Sequence, residues 1–158
     1  MYQGEGSGAI PWQDRSIGAG PRGARQPLIV IDASAAIELV LQTELGEKVE
    51  LRALAPQERL YAPHLLDLEV AQVLRRLTHL KEITTSRAQE ALDDYAGLLV
   101  ERVAHRDLLL RVWQLRETTT AYDGAYIALA EALNAPLLTC DAKLARSHGH
   151  RAIIALLQ

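Results

Sequence analysis

Four branched apolar residues in a row, Leu28 to Ile31, run straight into Asp32. A run that short, β-branched and without polar alternation, reads as a strand buried on both faces. Burial on both faces asks for helices on either side of a parallel sheet. A second apolar strand, Pro136 to Cys140, also runs into an aspartate, Asp141. Helical patterns fill the space between. Ala33–Gln42 and Glu44–Ala55 follow the first strand, and Leu60–Ala62 is a brief strand before Pro63. Residues 64–80 place Leu66, Val70, Val73, Leu74 and Leu77 on one stripe. Ser86–Arg102 reads as an amphipathic helix capped by Thr84 or Thr85, with a weaker strand signal at Val100–Ala104. Arg106–Glu117 reads as helical. Ala121–Leu133 is an Ala-rich helix that Asn134 can end in the left-handed conformation. A short helix to His148, a stop at Gly149 and a strand from Ala152 to Leu156 close the chain. The expected fold class is α/β, a three-layer α/β/α sandwich around a mostly parallel sheet.

The 158 residues suit one domain of ordinary size. Residues 1–26 hold six of the ten glycines and show no hydrophobic period, so they read as a flexible leader before a domain spanning 27–158. A single cysteine, Cys140, leaves no internal disulfide and no Cys-based zinc site, and it fits a reducing, cytoplasmic setting. No apolar run approaches the ~20 residues of a membrane span. With 17 Lys+Arg against 20 Asp+Glu, the surface as a whole is not a magnet for nucleic acid, though a local basic rim remains open.

In open parallel sheets ligands bind beyond the carboxyl ends of the strands, where Asp32 and Asp141 would both lie. Taken singly, either aspartate could cap the helix that follows, as could Ser34. Asp123 sits in the first turn of the Ala-rich helix, where an acid also complements the helix dipole. Glu69 borders the apolar stripe of 64–80, and Asp67 on the opposite flank is its rival. Carboxylates that converge repel one another, and burial raises the cost. A hard divalent cation such as Mg²⁺ or Mn²⁺ relieves it with oxygen ligands. Such an ion acidifies water and stabilises charge on phosphate oxygen.

The stretches "IVIDASAAIE", "APHLLDLEVAQVLRRL", "TAYDGAYIALAEALNAPLLTCDAKLA" and "HGHRAIIAL" resemble the PIN-domain ribonucleases, most closely the VapC-type toxins of toxin–antitoxin pairs. The third is the most specific: a helix-borne Tyr-Asp, then a strand ending Thr-x-Asp eighteen residues later. The resemblance covers about Leu28 to Leu157. It implies an acidic metal site of Asp32, Glu69, Asp123 and Asp141, and it selects Glu69 over Asp67. Ser34 and Thr139 match the supporting hydroxyl positions. It further implies Mg²⁺- or Mn²⁺-dependent cleavage of single-stranded or loop RNA, a cognate VapB-type antitoxin, and a homodimer. Arg75, Arg76, Arg116, Lys143 and Arg146 are the candidates for holding RNA at the rim. Gly124 departs from the family's usual alanine.

Other readings are weaker. A phosphatase of the haloacid-dehalogenase type needs a second Asp two residues after the first, where this chain has Ser34. A receiver domain needs an adjacent acidic pair near the first strand. A non-catalytic PIN-like module binding RNA or protein would have no use for an intact acidic set. The five histidines show no metalloprotease spacing.

Overall fold

A computed structural model describes residues 27–158. The leader expected for residues 1–26 lies outside the described residues. The elements are β1 (Leu28–Ile31), α1 (Ala33–Leu41), α2 (Glu44–Ala53), β2 (Arg59–Pro63), α3 (Leu65–His79), α4 (Thr85–Gly97), β3 (Val100–Val103), α5 (Leu109–Gln114), α6 (Ala121–Leu133), β4 (Leu137–Thr139), α7 (Ala142–Ala145) and β5 (Ile154–Leu156). One turn of 3₁₀ helix, His105–Leu108, leads into α5.

All strand pairs are parallel, in the order β3-β2-β1-β4-β5. The chain builds outward from β1 to β3, then returns to lay β4 on the other side of β1. That reversal makes the β1/β4 boundary the topological switch point, and it opens a crevice beyond the strand ends. Val30 pairs with Leu137 and Ile31 with Leu138, so Asp32 emerges directly beside Thr139. Ile29, Val30 and Ile31 are successive residues and all are buried, which requires cover on both faces of the sheet. α6 packs on β1, β2 and β4, while α1 packs against α2, α3 and α4. Among the described residues no helix is long and apolar enough to cross a membrane.

Two expected elements differ. The helix read through Arg102 ends at Gly97. The Leu98 N–H still reaches the Tyr95 carbonyl, but Leu98 itself is extended, and Val100 starts a strand paired with Leu60. The weaker strand signal at Val100–Ala104 is the one the fold uses, because pairing with β2 outweighs the helical period that runs into it. The helix read over Arg106–Glu117 is a 3₁₀ turn followed by a six-residue α5.

The last third of the fold is tied by Glu131 on α6, whose carboxylate accepts from Arg111 Nε at 2.6 Å and Nη2 at 2.9 Å. It also takes the Arg151 backbone N–H at 2.7 Å. The Arg111 hydrogen bonds, more than the opposing desolvation, hold the Glu131 carboxyl below its ordinary value. A depressed carboxyl favours the folded state above its unfolded pKa, and that contribution disappears as pH falls through the folded value. Glu131→Gln should therefore cost about 1–2 kcal/mol at neutral pH. The deficit relative to the parent should shrink in acid, as read from urea midpoints at both pH values.

Candidate functional site

β1 delivers Asp32 to the crevice at the end of a fully buried strand, and the residue is itself only 5% exposed. It does cap α1, accepting the Ala35 N–H at 2.9 Å on Oδ1. Capping alone, however, needs no burial; caps usually sit in water. The carboxylate also accepts the Ser34 hydroxyl at 2.7 Å on Oδ1 and the Thr139 hydroxyl at 2.6 Å on Oδ2. Each hydroxyl is oriented from behind by a backbone donor: Cys140 N–H to Ser34 Oγ and Asp141 N–H to Thr139 Oγ1, both 2.9 Å. Three donors fill three of about four lone-pair sites, and the remaining one is on Oδ2. Burial first, with the Asp141 charge adding to it, still raises the Asp32 carboxyl above its ordinary value, although these hydrogen bonds oppose the rise.

Asp141 follows β4 and caps α7, accepting the Lys143 N–H at 2.7 Å, with its side chain exposed. Asp123 is half-buried in the first turn of α6, whose N-cap Thr120 accepts the Asp123 N–H at 3.1 Å. The next residue, Gly124, meets α5 closely. A Cβ there would stand 3.5 Å from Val112 Cγ1, an ordinary contact, and 3.3 Å from Thr119 Oγ1, a hydroxyl that would have to give by a few tenths of an ångström. Glu69 is half-buried on α3. Desolvation raises its carboxyl, the charges of Asp32 and Asp123 raise it further, and a hydrogen bond from Tyr126 opposes them.

The structure therefore brings Asp32 and Asp123 within electrostatic reach of Glu69, and sets Asp141 beside Asp32 through Thr139. Among the described residues none of the four forms an ion pair with a basic side chain. Asp67 is different. Although burial pushes its carboxyl up, the Tyr95 hydroxyl at 2.5 Å and the Arg102 guanidinium at 2.9 Å together hold it below the ordinary value. It is already neutralised.

Whether these residues suit a metal turns on the donors. They are all hard oxygens, their charges are unbalanced, and the most buried of them keeps an open lone pair. Among the described residues no three His, Cys, Asp or Glu side chains stand close enough to enclose an ion directly. That spacing suits a small, strongly hydrated cation, which keeps several waters and touches only one or two carboxylates.

The basic candidates scatter. Lys143 and Arg146 ride on and just past α7, immediately after Asp141. Arg76 lies seven residues beyond Glu69, on the same side of α3 and about 10 Å along it. Arg75 instead lines a groove of about 260 Å³ between α3 and α4, with Leu74, Thr78 and Ala88. Arg116 stacks on Trp113 at 4.9 Å and pairs with Glu117 at 3.1 Å. Cys140 is half-buried, and desolvation with the charges of Asp32 and Glu38 pushes its thiol up to about 11, which disfavours the thiolate. The residue not foreseen from the sequence is Tyr126, whose signal was present as the Asp-x-x-Tyr spacing of α6.

The sequence model of the PIN domain family matches residues 29–148. Ribonuclease VapC12 of Mycobacterium tuberculosis is 42% identical over 130 residues, covering 82% of this chain and 99% of that protein. Ribonuclease VapC1 of the same species is 41% identical over 121 residues, covering 76% and 90%. Among solved structures, VapBC2 from Rickettsia felis bound to a promoter DNA fragment superposes with a TM-score of 0.54 at 15% identity, over 83% of this chain and 99% of that one. M. tuberculosis VapC20, a sarcin–ricin loop cleaving toxin, superposes with a TM-score of 0.55 at 13% identity, over 79% and 98%. These two share the fold; the family comes from the sequence matches. On that evidence, and with an acid-lined crevice at the switch point of a parallel sheet, the chain belongs to the PIN-domain family, in its VapC ribonuclease branch.

Proposed function

We propose that this protein is a metal-dependent endoribonuclease toxin that hydrolyses phosphodiester bonds in single-stranded or loop RNA and is held in check by a VapB-type antitoxin. One observation carries the reading: a buried aspartate at the sheet's switch point, oriented by two hydroxyls and facing other acids, with no basic side chain among the described residues to neutralise it. Kinship with VapC ribonucleases supports the substrate class, and the VapBC assembly among the fold's relatives supports the antitoxin.

Asp32 and Asp123 would hold the ion, Mg²⁺ or Mn²⁺, with Glu69 and Asp141 completing the pocket directly or through water. When bound, such a cation supplies an acidified water and charge stabilisation on phosphate oxygen. Ser34 and Thr139 keep the Asp32 carboxylate in one rotamer. Donors fixed in advance need no reorganisation when charge develops. The acids alone would repel RNA, so the strand has to be held at the rim, where Arg76, Lys143 and Arg146 are best placed to contact phosphates. Single strands suit such a crevice because their bases can be splayed apart.

The test is incubation with a mixed pool of single-stranded RNA. Cleavage is expected with Mg²⁺ or Mn²⁺, should stop in EDTA, and should return when excess cation is added back. RNA binding without cleavage under every metal condition would overturn the proposal in favour of a non-catalytic module.

A further inference from the structure

Two tyrosines grip the first turns of α3 from different helices. Tyr95 on α4 donates its hydroxyl to Asp67 at 2.5 Å, and Tyr126 on α6 donates to Glu69 Oε2, also at 2.5 Å. The two contacts look alike, but their settings differ. Asp67 is additionally paired with Arg102 and so is electrostatically complete. Glu69 has no basic partner among the described residues and faces Asp32 and Asp123.

Tyr126 is 3% exposed, so its ring is fixed by packing and its hydroxyl has little freedom to move elsewhere. It stands three residues after Asp123, on the same side of α6 and about 4.5 Å along the axis. One helix thus supplies both an acid of the crevice and the donor that secures another acid. Glu has one more rotatable bond than Asp, so a half-buried Glu beside two like charges would swing away from them. A donor on Oε2 prevents that swing and leaves Oε1, which no protein donor reaches among the described residues, for an ion or its water.

We infer that Tyr126 is the positioning residue for Glu69, fixing the carboxylate so that its second oxygen serves the cation site. The inference rests on the functional reading above and deepens it. Tyr126 does not touch the reacting atoms; it acts through Glu69.

The test compares Tyr126→Phe with Tyr95→Phe in the full chain. Each deletes one buried hydroxyl bonded to an α3 acid while keeping the ring. The first readout is Mn²⁺ affinity, from electron paramagnetic resonance of the free ion without RNA. Tyr126→Phe should weaken Mn²⁺ binding roughly five- to tenfold, whereas Tyr95→Phe should leave it unchanged even if its melting temperature drops as far. The second readout is a double-mutant cycle on kcat. In a Glu69→Gln background, Tyr126→Phe should cause no further loss, because the side chain it positions has already lost its charge. Equal Mn²⁺ affinity in Tyr126→Phe and parent, or losses that simply multiply in the cycle, would overturn the inference while parental cleavage stood. Absence of Mn²⁺ binding and of cleavage in the parent would instead overturn the reading on which it rests.

Discussion

Asp32→Asn should lower RNA cleavage at least about 10³-fold while leaving the metal-free protein as stable as the parent or more so. The hydrogen bonds around residue 32 show why the fold tolerates the change. The asparagine oxygen can keep both donors now on Oδ1, the Ala35 N–H and the Ser34 hydroxyl. Its amide group then replaces Oδ2 and donates to Thr139 Oγ1, which at present donates to it. The Thr139 proton is freed by that reversal, and Ser34 Oγ stands 3.2 Å away to accept it. In the parent both hydroxyl protons go to Asp32, so this 3.2 Å contact is a spare connection that the variant uses. Every donor now at the site keeps a partner. The second amide N–H takes the direction of the open Oδ2 lone pair and faces the crevice, and a buried charge is gone. Cleavage rates with Mg²⁺ or Mn²⁺ and melting curves in EDTA check the two halves separately. If Asp32 were only a helix cap, activity would survive the substitution. If its charge held the fold together, the melting temperature would drop instead.

Gly46→Ala should destabilise the protein by about 3 kcal/mol or more, and so lower its melting temperature by about 10 °C. Local preference says the opposite, since alanine in a helix interior is favoured over glycine by about 1 kcal/mol. Gly46 lies in the first turn of α2, and a Cβ built there would stand 2.2 Å from the Glu38 carbonyl oxygen and 2.8 Å from its carbonyl carbon. These are backbone atoms of α1 and have no rotamer in which to move aside. α1 and α2 would have to separate, opening a packed seam at Leu39 and Val49, both buried. α1 also starts at Asp32, so the variant should lose activity along with stability. Urea denaturation of the two proteins measures the effect; an alanine variant as stable as the parent would show that the seam can relax.

Much was legible before any coordinates. The buried double-faced strand at residues 28–31, the α6 boundaries at Ala121 and Leu133 and the left-handed Asn134 that ends it (φ 50°) follow from local chemistry. Asp32 and Asp141 stood out as candidates because two apolar strands ending in aspartate repeat one physical oddity, whereas choosing Glu69 over Asp67 needed the family resemblance. The short strand β3 gave only a weak signal at Val100–Ala104, overlapped by the neighbouring helix period. Four residues, Val-Glu-Arg-Val, carry too little pattern to outweigh a thirteen-residue amphipathic helix beside them.

The chain by itself determined the α/β class, the two strand-end aspartates and the family motif, since each depends on residues near one another along the sequence. Only the tertiary structure decided that β4 lies against β1, and with that, Asp32 beside Thr139. It alone gave the physical difference between Asp67, paired with Arg102, and Glu69, which has Tyr126 and two like charges. It alone showed Gly46 to be a contact and not a weak point in a helix. The reason is the same in each case. Whether a charge is neutralised, or a hydrogen atom has room to become a methyl group, depends on partners supplied by other elements of the fold.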